Sequence, residues 1–217
     1  MKNRTIYSCA INNKYCRVFL SGMVFFILRH TIFPLLKWLF VHDVQGLEHL
    51  PKKGGFIVVS NHVTYADAPL LVAVLIPYLN RTVHFVAWKK LKTITFFRWV
   101  LTYFGGVFEN GSMEKLIHLL KQKEIVGIYP EGSRTRTGKI QKVTHTGLGV
   151  LAAQTRVPVI PVHMVGGFEF WPYNKTLPSR KNVISFKIGK PVYYSGKKRR
   201  KDYLFFANKV MKIIARL

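Results

Sequence analysis

The stretch Asn61-His62-Val63-Thr64-Tyr65-Ala66-Asp67 places an imidazole and a carboxylate five residues apart, directly after the apolar run Phe56-Ile57-Val58-Val59. An imidazole with an ordinary pKa of about 6.5 can take a proton near neutral pH. A carboxylate on its other nitrogen fixes the tautomer and stabilises the cation that forms. On one straight helix, residues at this spacing point about 140° apart, so they meet only if His62 lies in a turn and Asp67 near a helix start. Asp67-Ala68-Pro69 suits a helix start, with Asp67 as N-cap and Pro69 in the first turn. Spacing alone leaves a second reading open, in which Asp67 is a plain cap and His62 a polar residue closing a strand.

A second polar stretch, Tyr129 to Ile140, follows the apolar run Ile125-Val126-Gly127-Ile128 and concentrates Glu131, Gly132, Ser133, Arg134, Arg136, Gly138 and Lys139. Arginine offers a planar fork of donors suited to phosphate, and glycine lets a ligand come close to the backbone. Open α/β sheets place ligands outside the carboxyl ends of their strands, so the two loops are predicted to converge at one sheet edge. A third stretch, Val157 to Val162, carries Pro158 and Pro161. Two prolines predict an edge or bent strand, with a purely structural role and the lining of an acyl groove as the alternatives.

The elements that must hold these loops alternate along the chain. Phe56–Ser60, Val83–Trp88, Ile125–Tyr129, Val157–Val165 and Val183–Ile188 read as strands, being β-branched or aromatic and bounded by Gly, Pro or Asn. Pro69–Leu79, Lys90–Phe104, Ser112–Lys123 and Thr146–Gln154 read as helices. Lys201–Arg216 is a last, basic helix whose apolar residues predict packing on the body. The fold class is α/β: a mixed sheet covered by helices over residues 44–217, preceded by a membrane-interacting helical segment over residues 1–43. The run Lys197 to Lys201 is a solvated loop or a contact to anionic lipid.

Lys and Arg total 34 against 9 Asp and Glu, for a net charge of +25, while 49% of the 217 residues are hydrophobic. A basic and greasy chain suits an anionic membrane surface better than a nucleic-acid groove, and no aromatic-rich RNA-binding signature is visible. Cys9 and Cys16, the only cysteines, give no disulfide framework and point to a reducing compartment. Val18–Leu28 and Thr31–Val41 are apolar but are separated by Arg29-His30, and the second run contains Pro34 and Lys37. They predict two short helices dipping into one leaflet at the cytoplasmic face, outside the sheet; a single tilted span and an amphipathic core helix remain open.

Asn61-His62-x4-Asp67, Pro130-Glu131-Gly132-Ser133-Arg134 and Val157-Pro158-Val159-Ile160-Pro161, in this order, resemble the motif blocks of the glycerolipid acyltransferases, in particular the lysophosphatidic acid acyltransferase family. The likeness covers about residues 44 to 192 and ends in Gly189-Lys190-Pro191-Val192. Each block alone is common; the ordered set is specific. The resemblance implies transfer of a fatty acyl group from an acyl-CoA or acyl-carrier-protein thioester to the hydroxyl of a lysophospholipid, without metal or bound cofactor. His62 is then the general base and Asp67 its orienting partner. Asn61, Glu131, Gly132, Ser133, Arg134, Arg136 and Lys139 belong to the acceptor-binding set. Two positions depart from the pattern. The second block reads Gly105-Gly106-Val107-Phe108-Glu109-Asn110-Gly111, without the family's arginine, and His145-Thr146-Gly147 stands where the family has Lys-Thr-Gly. The missing arginine predicts weaker handling of a phosphate monoester. A non-catalytic basic protein that binds membranes peripherally on the same fold is the competing reading.

Overall fold

The computed structural model describes residues 23, 25–87, 107–108, 112–178 and 183–217. Both cysteines, most of the first apolar run, the expected helix Lys90–Phe104 and Glu109 lie outside the described residues. Among the described residues seven strands, β1 (Val41–Gln45), β2 (Phe56–Ser60), β3 (Val83–Ala87), β4 (Val107–Phe108), β5 (Ile125–Ile128), β6 (Val159–Val165) and β7 (Ile184–Ile188), form one sheet in the order β1-β7-β6-β2-β5-β3-β4. Pairing is parallel throughout except between β6 and β7, so the sheet is mixed, as the alternation of elements predicts.

The centre of the sheet is buried on both sides. Every residue of β2 and β5 is buried, which is why these strands read as unbroken apolar runs instead of alternating ones. Phe56 and Val58 face one helical layer, made of α1 (Phe33–Phe40) and α2 (Asp67–Leu79). Ile57 and Val59 face the other, where α3 (Ser112–Lys121), α4 (Gly147–Thr155) and α6 (Arg200–Ile214) supply Leu116, Leu148, Leu151, Phe206, Val210 and Ile214. The connection from β2 runs through α2 in the first layer, whereas that from adjacent β5 runs through α4 in the second. The chain therefore departs in opposite directions from the carboxyl ends of two neighbouring strands, the position at which open α/β sheets seat their ligands.

Three expectations are corrected. First, the two-proline strand is interior: β6 pairs with β2 on one side and β7 on the other. Pro158 precedes the strand and gives its carbonyl to the Ile57 N–H (3.0 Å), while the Pro161 carbonyl accepts from the Gly189 N–H (2.8 Å). The missing N–H of Pro161 is tolerated because pairing with β7 is irregular there. The register slips by one residue between Val162↔Ile188 and the isolated bridge Val159↔Val192. Val159, Ile160 and Val162 are fully buried and belong to the core.

Second, the body begins earlier than residue 44. Val41 pairs with Ile184 of β7, so β1 runs across the expected boundary. Third, two separate helices are not formed over the described part of the N-terminal segment. Residues 25–27 are helical, Leu28–Ile32 is a π-helical turn, and α1 continues directly from it. The turn takes in Arg29-His30 and lies just before Pro34, whose missing N–H removes a backbone bond from the continuous helix at that point. Phe33 is 4% exposed and joins the core against α2, a burial worth about 1.5–3 kcal/mol. Phe26, Leu35 and Trp38 stay exposed (Trp38 at 73%). No helix among the described residues is long and apolar enough to cross a membrane. Between α4 and α6, a fifth short helix, α5 (Gly167–Phe170), follows β6.

Candidate active site

The loop that follows β2 is built around one carboxylate. Asp67 is 2% exposed and accepts three hydrogen bonds. Its Oδ2 takes the Val63 N–H (2.6 Å) and lies 2.6 Å from His62 Nδ1; its Oδ1 takes the Thr64 N–H (2.8 Å). Asp67 therefore does not cap its own helix, as its position before Ala68-Pro69 suggested. Ala66 is the cap, Asp67 is the first helical residue, and its side chain turns back to tie down the loop before it. Thr64 completes the turn by accepting the Ala66 N–H on Oγ1 (2.7 Å). Five-residue spacing brings His62 and Asp67 into contact because the chain turns between them instead of running as helix.

A carboxylate against Nδ1 makes that nitrogen the donor, which leaves Nε2 as the ring nitrogen able to accept a proton. The ring lies flat on Tyr129, with centroids 4.4 Å apart and planes 17° from parallel. Phe85 stacks on the same tyrosine at 5.6 Å. Phe85 itself fits only because residue 127 is glycine: a Cβ there would lie 2.2 Å from the Phe85 ring. Burial, with the charge of Asp67 adding to it, pushes the Tyr129 hydroxyl well above its ordinary range, so the residue beside His62 stays neutral. A side chain of His62 that is 25% exposed is thus held at its base and supported on one face.

The loop that follows β5 meets the first loop, as the two polar stretches predict. Glu131 Oε1 accepts the His62 N–H (3.0 Å), and the His62 carbonyl accepts the Thr135 N–H (2.9 Å). Glu131 Oε2 accepts both the backbone N–H and the side-chain Nε2 of Gln141 (3.1 Å each), and the same Nε2 also reaches the Ser133 carbonyl. Glu131 is only 9% exposed, so its carboxylate is spent on holding the two loops together. Burial raises its pKa, and those hydrogen bonds pull the other way. Asn61 is likewise turned inward: its side-chain amide exchanges two hydrogen bonds with the Met164 backbone (2.8 and 3.0 Å), which extends the β2–β6 ladder by one step. Gly132 takes a positive φ of 72°, exposed beside the His145 ring.

The exposed side of this loop carries its cations. Ser133, Arg136 and Lys139 are exposed and Arg134 is half-buried. The Arg134 guanidinium carbon lies 3.3 Å from the ring centroid of Tyr65 and 4.8 Å from that of Tyr173; Arg136 lies 5.4 Å from Tyr173. A cavity of about 340 Å³ adjoins both loops, lined among others by Asn61, Val63, Lys139, His163 and Phe168. Reading the sequence for charged groups passes over Tyr65, Tyr129, Gln141 and Tyr173. Tyr65 lies inside the His-x4-Asp block, and position within a motif is the only signal that could have marked it.

The model of the acyltransferase family matches residues 41–165. A 1-acyl-sn-glycerol-3-phosphate acyltransferase of Bacillus subtilis is 30% identical over 156 residues, covering 69% of this chain and 73% of the relative. The chloroplastic 1-acyl-sn-glycerol-3-phosphate acyltransferase BAT2 of Brassica napus is 26% identical over 174 residues, 76% of this chain and 48% of the relative. The chain spans about half the length of the plant relatives it matches. In fold it is similar to the 1-acyl-sn-glycerophosphate acyltransferase PlsC of Thermotoga maritima, with a TM-score of 0.69, 24% identity, and coverage of 97% of this chain and 84% of that one.

Proposed function

The chain belongs to the acyltransferase family, and on that premise we propose that it transfers a fatty acyl group from a thioester donor to the free hydroxyl of 1-acylglycerol-3-phosphate in phospholipid synthesis. The observation that carries this reading is the 2.6 Å contact from His62 Nδ1 to an Asp67 carboxylate that two backbone N–H groups also hold. Such a carboxylate cannot swing away, so the neutral imidazole carries its proton on Nδ1 and presents Nε2 as the acceptor in a fixed orientation.

In the proposed step, Nε2 takes the proton of the acceptor hydroxyl as that oxygen attacks the thioester carbonyl. The new C–O bond forms, the tetrahedral intermediate collapses with cleavage of C–S, and the imidazolium returns its proton to the departing thiolate. The products are an ester and a free thiol, with no covalent enzyme intermediate. Asp67 stabilises the transient imidazolium, and Tyr129, neutral and stacked, supports the ring without competing for the proton. Glu131 serves as a positioning residue, since its hydrogen bond to the His62 N–H fixes the backbone of the base. Arg134, Arg136 and Lys139 give the acceptor's phosphate a cationic rim. The cavity beside Asn61 and Val63 suits the thioester, supplied as acyl-CoA or on acyl-carrier protein.

We also place the protein at the cytoplasmic face of a membrane. The exposed Phe26, Leu35 and Trp38 support insertion into one leaflet, and a net charge of +25 supports attraction to anionic lipid. Thiol release from acyl-CoA or acyl-carrier protein, measured with purified protein and a panel of lysolipids, tests the activity. His62→Ala is expected to lower kcat by about 10²- to 10⁴-fold while leaving the fold intact. Near-wild-type turnover in His62→Ala would sink the mechanism. Membrane binding without any thiol release would favour the non-catalytic reading.

A further inference from the structure

Arg134 is held in an unusual way for a surface cation. It has no carboxylate partner within ion-pair distance among the described residues. Its Nη1 is buried and makes no hydrogen bond among them. What fixes the guanidinium is the π faces of two tyrosines, Tyr65 at 3.3 Å and Tyr173 at 4.8 Å. Trp171 packs on Tyr65 with centroids 5.4 Å apart and anchors itself through an Nε1–H bond to the Lys175 carbonyl (2.9 Å). The three participants come from three different loops: Tyr65 after β2, Arg134 after β5 and Tyr173 beyond α5.

The chemistry of this arrangement differs from that of a salt bridge. An acidic partner would consume the N–H donors of the fork and cancel its charge, and would then repel a phosphate. An aromatic face attracts the cation through its quadrupole and leaves all the N–H donors for something else. Arginine gives up rotamer entropy when it is fixed, and here the clamp imposes that cost before any ligand arrives. Nη1 is buried, so the remaining N–H groups of this half-buried guanidinium are the ones that phosphate oxygens in the plane of the fork would meet. Arg134 is also adjacent to Thr135, whose N–H bonds the carbonyl of His62, so an anion held here is tied to the backbone of the base.

We propose that Tyr65 and Tyr173 are specificity-determining residues that hold Arg134, charged and with its donors unspent, as the fork for the phosphate of the acyl acceptor. This rests on the acyltransferase reading and deepens it. The clamp supplies rigidity at one arginine where the second motif block lacks another, so a phosphate monoester remains the fitting acceptor despite that departure.

The test compares Tyr65→Leu, Tyr173→Leu, Tyr65→Phe and Tyr173→Phe in the full chain, with thiol release as readout and either lysophosphatidic acid or uncharged monoacylglycerol as acceptor. With Tyr65 57% and Tyr173 44% exposed, the leucine variants are expected to raise KM for lysophosphatidic acid by about 2- to 5-fold each, the range of a solvent-exposed cation–π contact, with kcat little changed. KM for monoacylglycerol is expected to stay put, and the phenylalanine variants, which keep the ring, to behave as wild type. Equal losses with both acceptors, unchanged KM in the leucine variants, or phenylalanine variants as poor as leucine would each overturn the proposal. Calorimetric binding of glycerol 3-phosphate to the same proteins runs alongside, weakened by leucine and retained by phenylalanine if the clamp acts as described. Wild-type protein that releases no thiol with any acceptor would refute the acyltransferase reading, and the calorimetry would still decide the clamp. Urea midpoints for each variant separate a lost clamp from a lost fold.

Discussion

Replacing Asp67 by asparagine removes one oxygen from a site where every acceptor position is in use. Three donors converge on the carboxylate: His62 Nδ1 and the Val63 N–H on Oδ2, and the Thr64 N–H on Oδ1. An asparagine must put its NH₂ at one of those two positions. Facing Thr64, it opposes a backbone N–H with another donor. Facing His62 and Val63, it opposes the Val63 N–H and drives the imidazole into the other tautomer, with the proton on Nε2 where the base should be empty. Either orientation leaves at least one buried N–H unsatisfied at a residue 2% exposed, which costs about 1–3 kcal/mol of stability. The catalytic cost depends on the tautomer, and where the wrong one dominates kcat falls by up to about 10⁴-fold. The sequence alone suggests that this change costs less than His62→Ala, because it spares the ring; the geometry predicts that it costs stability as well and can match His62→Ala in rate. Urea unfolding and thiol-release kinetics on Asp67→Asn measure both. A variant with a wild-type urea midpoint and kcat within about 10-fold would refute the argument, because the carboxylate would then be neither a structural acceptor nor a tautomer lock.

The remaining predictions concern the support of the site and its pH dependence. Gly127→Ala places a methyl 2.2 Å from the Phe85 ring, so Phe85 must press toward Tyr129 and through it toward His62. Overpacking of this kind costs about 1–3 kcal/mol, and a lowered kcat together with a lowered thermal midpoint is expected; a fall in neither would disconnect the stack from the base. His163 lies in the cavity beside Asn61, and burial, then the charge of Lys187, depresses its pKa. A depressed histidine contributes stability that is present above its unfolded value of about 6.5 and is lost as pH falls toward the folded one. Urea midpoints should therefore drop on acidification below about pH 6.5, and less steeply in His163→Gln. Identical slopes for the two proteins would show that the imidazole enters the fold without penalty when charged.

Composition and period determined much of this protein before any coordinates. The apolar runs Phe56–Val59 and Ile125–Ile128 read as strands covered on both faces, and each is followed by a cluster of polar groups, so a sheet with polar loops at its carboxyl edge was legible. The types of His62, Asp67, Glu131 and Arg134 marked them as candidates, and the structure brings His62 against Asp67 and Glu131 against the His62 backbone. What side chains face depends on groups distant in sequence, and there local pattern has no hold. Asp67 looks like a helix cap and is a knot for the preceding loop. Asn61 and Glu131 look like ligands to a substrate and turn inward to Met164, His62 and Gln141. Pro161 looks like an edge residue and sits inside the sheet, because a register slip opposite Gly189 leaves its absent N–H unneeded. Val41 and Phe33 look like part of a detached anchor and belong to the body, one paired with Ile184 and the other buried against α2. The aromatic clamp on Arg134 joins residues 65, 134 and 173, whose separation along the chain carries no trace of their meeting. Sequence fixes which groups can bond and in what period; only the closed sheet, by bringing distant strand ends side by side, decides which of those bonds are made.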